Sequence, residues 1–100
     1  MALKRSEQTD QLFRSILSLR DLDECYQYFE DLCTVKEVLT FAQRLEVAGM
    51  LAQGQSYQQT IAHTGASSAT ISRVKRCLDY GDGGYAMVLD RISGKEDSAE

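Results

Sequence analysis

The 100-residue chain contains no proline and no tryptophan, a single histidine, His63, and three cysteines, Cys25, Cys33 and Cys77. Without proline nothing forbids a helix interior, and β-branched runs are too sparse to favour strands. An odd number of cysteines with no C-x-x-C pair, beside one histidine, supports neither a disulfide framework nor a zinc site; we expect reduced thiols and no metal. No apolar run approaches the roughly 18 residues of a membrane span. The Met1–Asp10 start is polar and charged, unlike a signal peptide. A soluble, cytoplasmic protein with no membrane partner is expected. Catalysis has no foothold, because no Ser/His/Asp or Cys/His set has a usable spacing. Gly81, Gly83 and Gly84 lack the strand before and the Lys-Ser/Thr after that a phosphate loop requires, and read as a linker. We expect no enzyme.

What is present is a chain 43% apolar and 26% charged, too apolar for disorder and too short for two cores. One domain over 1–94 is expected, with a disordered acidic tail over 95–100. At this length about two-thirds of the unfolded surface is buried on folding, so a core shared between two copies is a reasonable expectation.

Apolar residues recur at helical spacing almost throughout, and the fold class is all-α. The first helix spans about Ser6 to Leu19 on Leu12, Ile16 and Leu19. Asp21 caps a second helix with Leu22, Cys25, Tyr26, Phe29, Leu32 and Cys33 on one face. Thr34 and Glu37 form a capping-box pattern that opens a long third helix ending at Gly54, with Gly49 permitting a close helix crossing. A second box, Ser56 with Gln59, opens a short helix that Gly65 stops near Thr64. Ser67 or Ser68 caps the next helix, whose inward stripe is Ile71, Val74 and Leu78. After the Gly81–Gly84 break, Tyr85, Val88, Leu89 and Ile92 form a sixth helix that Gly94 terminates.

The short helix, glycine turn and second helix at about 56–79 have a helix-turn-helix outline. Gly65 allows a left-handed turn, and small residues at the start of the second helix let it approach base edges closely. Charge agrees with that outline. Residues 1–55 carry six Lys/Arg against nine Asp/Glu and residues 81–100 carry two against five. Between them Arg73, Lys75 and Arg76 face only Asp79, the one basic stretch in a chain of net charge −4. We therefore read Gln58, Gln59, Ser67, Ser68, Ala69, Ser72, Arg73, Lys75 and Arg76 as DNA-binding. One detail departs from the usual pattern: a small residue normally packs four positions before the turn glycine, where this chain has Ile61.

The run QRLEVAGMLAQGQSYQQTIAHTGASSATISRVKRCL, Gln43 to Leu78, resembles the Trp repressor family, closest to its YerC/YecD branch. The resemblance extends over nearly the full chain. It implies a six-helix intertwined homodimer in which the first three helices and the last build the dimer core and two helix-turn-helix units project from it. It also implies a candidate effector pocket of Thr34, Arg44, Arg73 and Cys77, with the two arginines in the positions that sandwich tryptophan in the repressor. Two differences argue against tryptophan. The glycine that makes room for the indole is Val74 here, and the serine that helps hold the amino group is Cys77. The turn between the reading helices is also one residue shorter. No cofactor is expected, and tryptophan is not expected to act as corepressor.

The expected function is a sequence-specific DNA-binding transcriptional regulator, a repressor, acting as a homodimer on a palindromic site in double-stranded DNA. Ser68, Ala69 and Ser72 would lie nearest base edges, and Gln58, Gln59, Lys75 and Arg76 nearest phosphate or sugar. The alternative is a helical dimer that binds other proteins and no DNA. Tyr26, Tyr28 and Phe29 would then be candidates for an exposed patch, although their spacing makes two of the three core.

Overall fold

The computed structural model describes residues 2–98 and, among them, contains six helices: α1 (Glu7–Leu17), α2 (Leu22–Leu32), α3 (Val35–Ala52), α4 (Tyr57–Thr64), α5 (Ser68–Tyr80) and α6 (Gly84–Ser98). Local capping chemistry sets the starts of these helices. Ser6 and Thr9 exchange backbone-to-side-chain hydrogen bonds at 2.9 and 3.1 Å, and Asp21 accepts the Glu24 N–H at 2.8 Å. Thr34 and Glu37 bond reciprocally at 2.8 and 3.1 Å, which opens α3.

The chain divides into two compact units, Met1–Leu39 and Thr40–Glu100. In the first, Ser15 and Tyr28 share a hydrogen bond of 2.6 Å between α1 and α2. The rings of Tyr28 and Phe29 meet edge to face at 5.9 Å. Both helices are amphipathic, yet neither buries a single residue. Leu17, Leu22 and Tyr26 are 82, 71 and 70% exposed. Tyr28 and Phe29 are half-buried, so two of the three aromatics do turn inward. Between α2 and the first turn of α3 lies an apolar groove of about 370 Å³, lined chiefly by Leu22, Cys25, Tyr26, Phe29, Val38 and Leu39.

The second unit contains the core. Val47, Ala48 and Leu51 of α3 pack with Ala66 of the turn and with Ile71 and Val74 of α5, and Leu78, Tyr85 and Leu89 close over this cluster. Ile71 is 0% and Val74 1% exposed. The buried position on α4 is filled by Thr60, one residue earlier than the place considered from the sequence, and Ile61 is exposed. The Thr60 hydroxyl donates to the Ser56 carbonyl at 2.8 Å, so burial leaves no polar atom unpaired.

Two expectations about glycine are revised. A Cβ placed on Gly49 would lie 3.8 Å from Leu89 Cδ2, an ordinary contact, so the crossing of α3 and α6 does not depend on glycine there. Gly94 does not end α6, and the tail expected to be disordered from residue 95 is helical through Ser98, residues 99 and 100 lying outside the described residues. The reason is conformational. Glycine stops a helix when it takes the left-handed conformation, as Gly54 and Gly65 do, and Gly94 is not among the positive-φ glycines.

Candidate nucleic-acid interface

The core of the second unit holds α4 and α5 in place from beneath. Ser56 caps α4 by accepting the Gln59 N–H at 3.0 Å, and Gln59 Oε1 accepts the Ser56 N–H at 2.9 Å. Gly65, at φ +71°, closes the helix by donating its N–H to Ile61 at 2.9 Å. Thr64 donates its hydroxyl to the Thr60 carbonyl at 2.7 Å and accepts the Ala66 N–H at 3.1 Å, which fixes the direction in which the chain leaves α4. Ser67 then caps α5, accepting the Thr70 N–H at 3.1 Å while donating to Thr70 Oγ1 at 3.1 Å.

Two side chains of α3 also reach α4. Gln43 Nε2 donates to the Thr64 carbonyl at 3.3 Å, and Glu46 lies 3.5 Å from His63 Nε2. Neither contact is visible in the spacing of the sequence, since each joins residues that meet only after folding.

With Ile71 and Val74 turned inward, α5 presents Ser68, Ala69, Ser72, Arg73 and Arg76 to solvent. Ser68, Ser72 and Arg76 follow one another at intervals of four residues and lie along one face. Among the described residues the side chains of Ser68, Ser72, Arg73 and Arg76 have no hydrogen-bond or ion-pair partner. Their donors are therefore available to an external ligand.

Other residues singled out from the sequence are engaged. The Ser67 hydroxyl is used in the cap and the Gln59 carbonyl oxygen in the α4 box, while Gln58 is exposed. Lys75 is half-buried, its Nζ 3.2 Å from Asp79 Oδ1. The four-residue spacing of that pair was a usable signal.

Of the effector-pocket candidates, Thr34 belongs to the first unit and its hydroxyl caps α3. Arg44, Arg73 and Cys77 belong to the second; Arg44 is half-buried, and Arg73 and Cys77 are exposed. Val74 is packed with Val47, Ala48 and Leu51, so its side chain occupies the space where α5 meets α3. Among the described residues no group of three or more His, Cys, Asp or Glu could hold a metal ion, and no helix is long and apolar enough to cross a membrane.

The family model described as Trp repressor protein matches residues 7–93. The uncharacterized protein YerC of Bacillus subtilis (strain 168) is 59% identical over 92 residues, covering 92% of this chain and 88% of its own. A Trp repressor candidate from Staphylococcus aureus, known from a crystal structure, superposes with a TM-score of 0.87 at 50% identity, covering 89% of each chain. A TrpR-like protein from Eubacterium eligens ATCC 27750 gives a TM-score of 0.87 at 50% identity, over 89% of this chain and 92% of that one.

Proposed function

The chain belongs to the Trp repressor family, and on that premise we propose that it is a sequence-specific DNA-binding regulator, a homodimeric repressor that reads duplex DNA with α5. The observation that carries this reading is the outer face of α5. Two hydroxyls and two guanidinium groups stand exposed, and unpaired among the described residues, on a helix whose other face is locked into the core. Ser68, Ala69 and Ser72 are small enough to let the helix backbone approach base edges, and Arg73 and Arg76 are placed to neutralise phosphates. Gln58 at the start of α4 adds an amide on the backbone side.

The first unit supports the dimer. Amphipathic helices that bury no residue fully within one chain need a cover, and a second copy supplies an equal and complementary one. Two heads about one helical turn apart, roughly 34–36 Å, would meet the same face of a palindromic site. The buried Val74 supports a head that is complete without tryptophan, because its own side chain fills the α3–α5 contact.

Selection from a randomised duplex library, followed by nuclease footprinting, tests this reading. A two-fold symmetric site with protected half-sites is expected. Enrichment of no sequence would overturn it in favour of a protein-binding module. Sedimentation of the purified protein should give a dimer, and calorimetric titration with tryptophan should give no heat of binding.

A further inference from the structure

Resting on the DNA-binding reading of α5, we propose that Asp79 is a built-in attenuator of that helix, holding the Lys75 ammonium away from phosphate so that Arg73 and Arg76 alone anchor the backbone. The two side chains meet at 3.2 Å on the same helix, one turn apart.

Helix stability does not explain this carboxylate. In an i, i+4 pair the favourable order places the acid before the base, and here Lys75 precedes Asp79. Asp79 also lies in the last turn of α5, where the open carbonyl groups disfavour negative charge, and no basic residue occupies that turn to offset it. The residue therefore opposes both local preferences of the helix that carries it. Its effect lies instead on the neighbouring cation.

The consequence follows from how duplex binding responds to charge. Non-specific affinity comes almost wholly from cations exchanging with the counterions of the phosphate backbone, and each phosphate neutralised adds about 0.9 to the slope of log affinity against log salt. Withholding Lys75 removes a contribution common to every sequence and leaves the Ser68 and Ser72 hydroxyls untouched. The ratio between sites is unchanged while total affinity falls, so less of the protein is held on unrelated duplex at a given salt concentration. In the second unit, Arg73 and Arg76 have no carboxylate within ion-pair distance among the described residues, so the attenuation is confined to one of the three cations of α5.

The test compares wild type, Asp79→Asn, Asp79→Glu, Lys75→Gln and the Asp79→Asn/Lys75→Gln double variant on the selected duplex and on an unrelated one. Salt is varied around 0.1 M, and thermal melting checks that each variant folds. Asp79→Asn should tighten binding to the unrelated duplex by about 3- to 10-fold and steepen its salt slope by about one. Asp79→Glu, which keeps the pair, should behave as wild type. In the Lys75→Gln background the Asp79→Asn gain should fall below about 2-fold.

Unchanged affinity and slope in Asp79→Asn would overturn the inference. An equal gain in both backgrounds would overturn it as well, since Asp79 would then act by repelling phosphate directly. Either result, with wild type still binding its selected site, leaves the DNA-binding reading standing. Wild-type protein that enriches no duplex overturns that reading first and this inference with it.

Discussion

The Gln43 side-chain amide donates to the Thr64 carbonyl at 3.3 Å, so α3 satisfies one of the open carbonyl groups at the end of α4, next to the turn into α5. The neighbouring Glu46–His63 pair joins the same two helices at 3.5 Å, but both side chains are exposed. A part-buried hydrogen bond contributes about 1 kcal/mol and an exposed ion pair about 0–1 kcal/mol. Gln43→Ala should therefore lower stability by about 1 kcal/mol and weaken DNA binding by loosening α4. Glu46→Gln should be nearly silent at 0.15 M salt. Chemical denaturation of the two variants side by side checks the order.

Ser67 and Ser68 are adjacent serines with different duties. Ser67→Ala removes the α5 cap and should cost about 1 kcal/mol of stability. Ser68→Ala touches no internal bond and should leave the melting temperature unchanged. On the selected site it should lose about 3- to 10-fold in affinity, the worth of one hydroxyl hydrogen bond. Equal effects of both changes on melting would show that Ser68 also serves the fold.

Gly65 and Gly49 should respond to alanine in opposite directions. Gly65→Ala forces a side chain into a left-handed conformation at φ +71° and should destabilise by about 1–2 kcal/mol. Gly49→Ala adds a methyl at ordinary contact distance from Leu89 and improves helix propensity, so it should stabilise by about 0.5–1 kcal/mol. Denaturant midpoints at constant slope measure both.

Glu37 should give the fold a specific sensitivity to acid. The Thr34 backbone N–H, and secondarily the Thr34 side chain, hold its carboxyl below the ordinary value. A carboxylate depressed by folding stabilises above its unfolded pKa, about 4.3, and that stabilisation is lost as pH falls through the lower folded value. Wild type should melt higher than Glu37→Gln at pH 7. The gap should close once the pH drops below the ordinary glutamate range. A gap independent of pH would mean that the charge of Glu37 contributes nothing to the start of α3.

Much of this arrangement was legible in the residues themselves. The caps at Asp21, Thr34, Ser56 and Ser67 and the turn at Gly65 each involve partners within about four residues, so spacing alone located the starts of α2, α3, α4 and α5 and the end of α4 to within a residue or so. The exposed face of α5 followed from the inward stripe of Ile71 and Val74. Less legible was which donors remain available. Ser67 and Gln59 read both as caps and as DNA-binding, and the caps use them; Lys75 is held by Asp79. Gly94 looked like a stop and is passed over: it does not take the left-handed conformation with which Gly65 closes α4.

Helical period, caps and charge distribution belong to the sequence because they depend on neighbours a turn away, and they determined that this is an all-helical chain with one cationic helix. Tertiary structure decided that Thr60 rather than Ile61 is buried, that Val74 packs against α3, and that Gln43 reaches Thr64. Those outcomes depend on which surfaces meet across long stretches of chain, where volume and hydrogen-bond satisfaction select among residues that local preference treats alike.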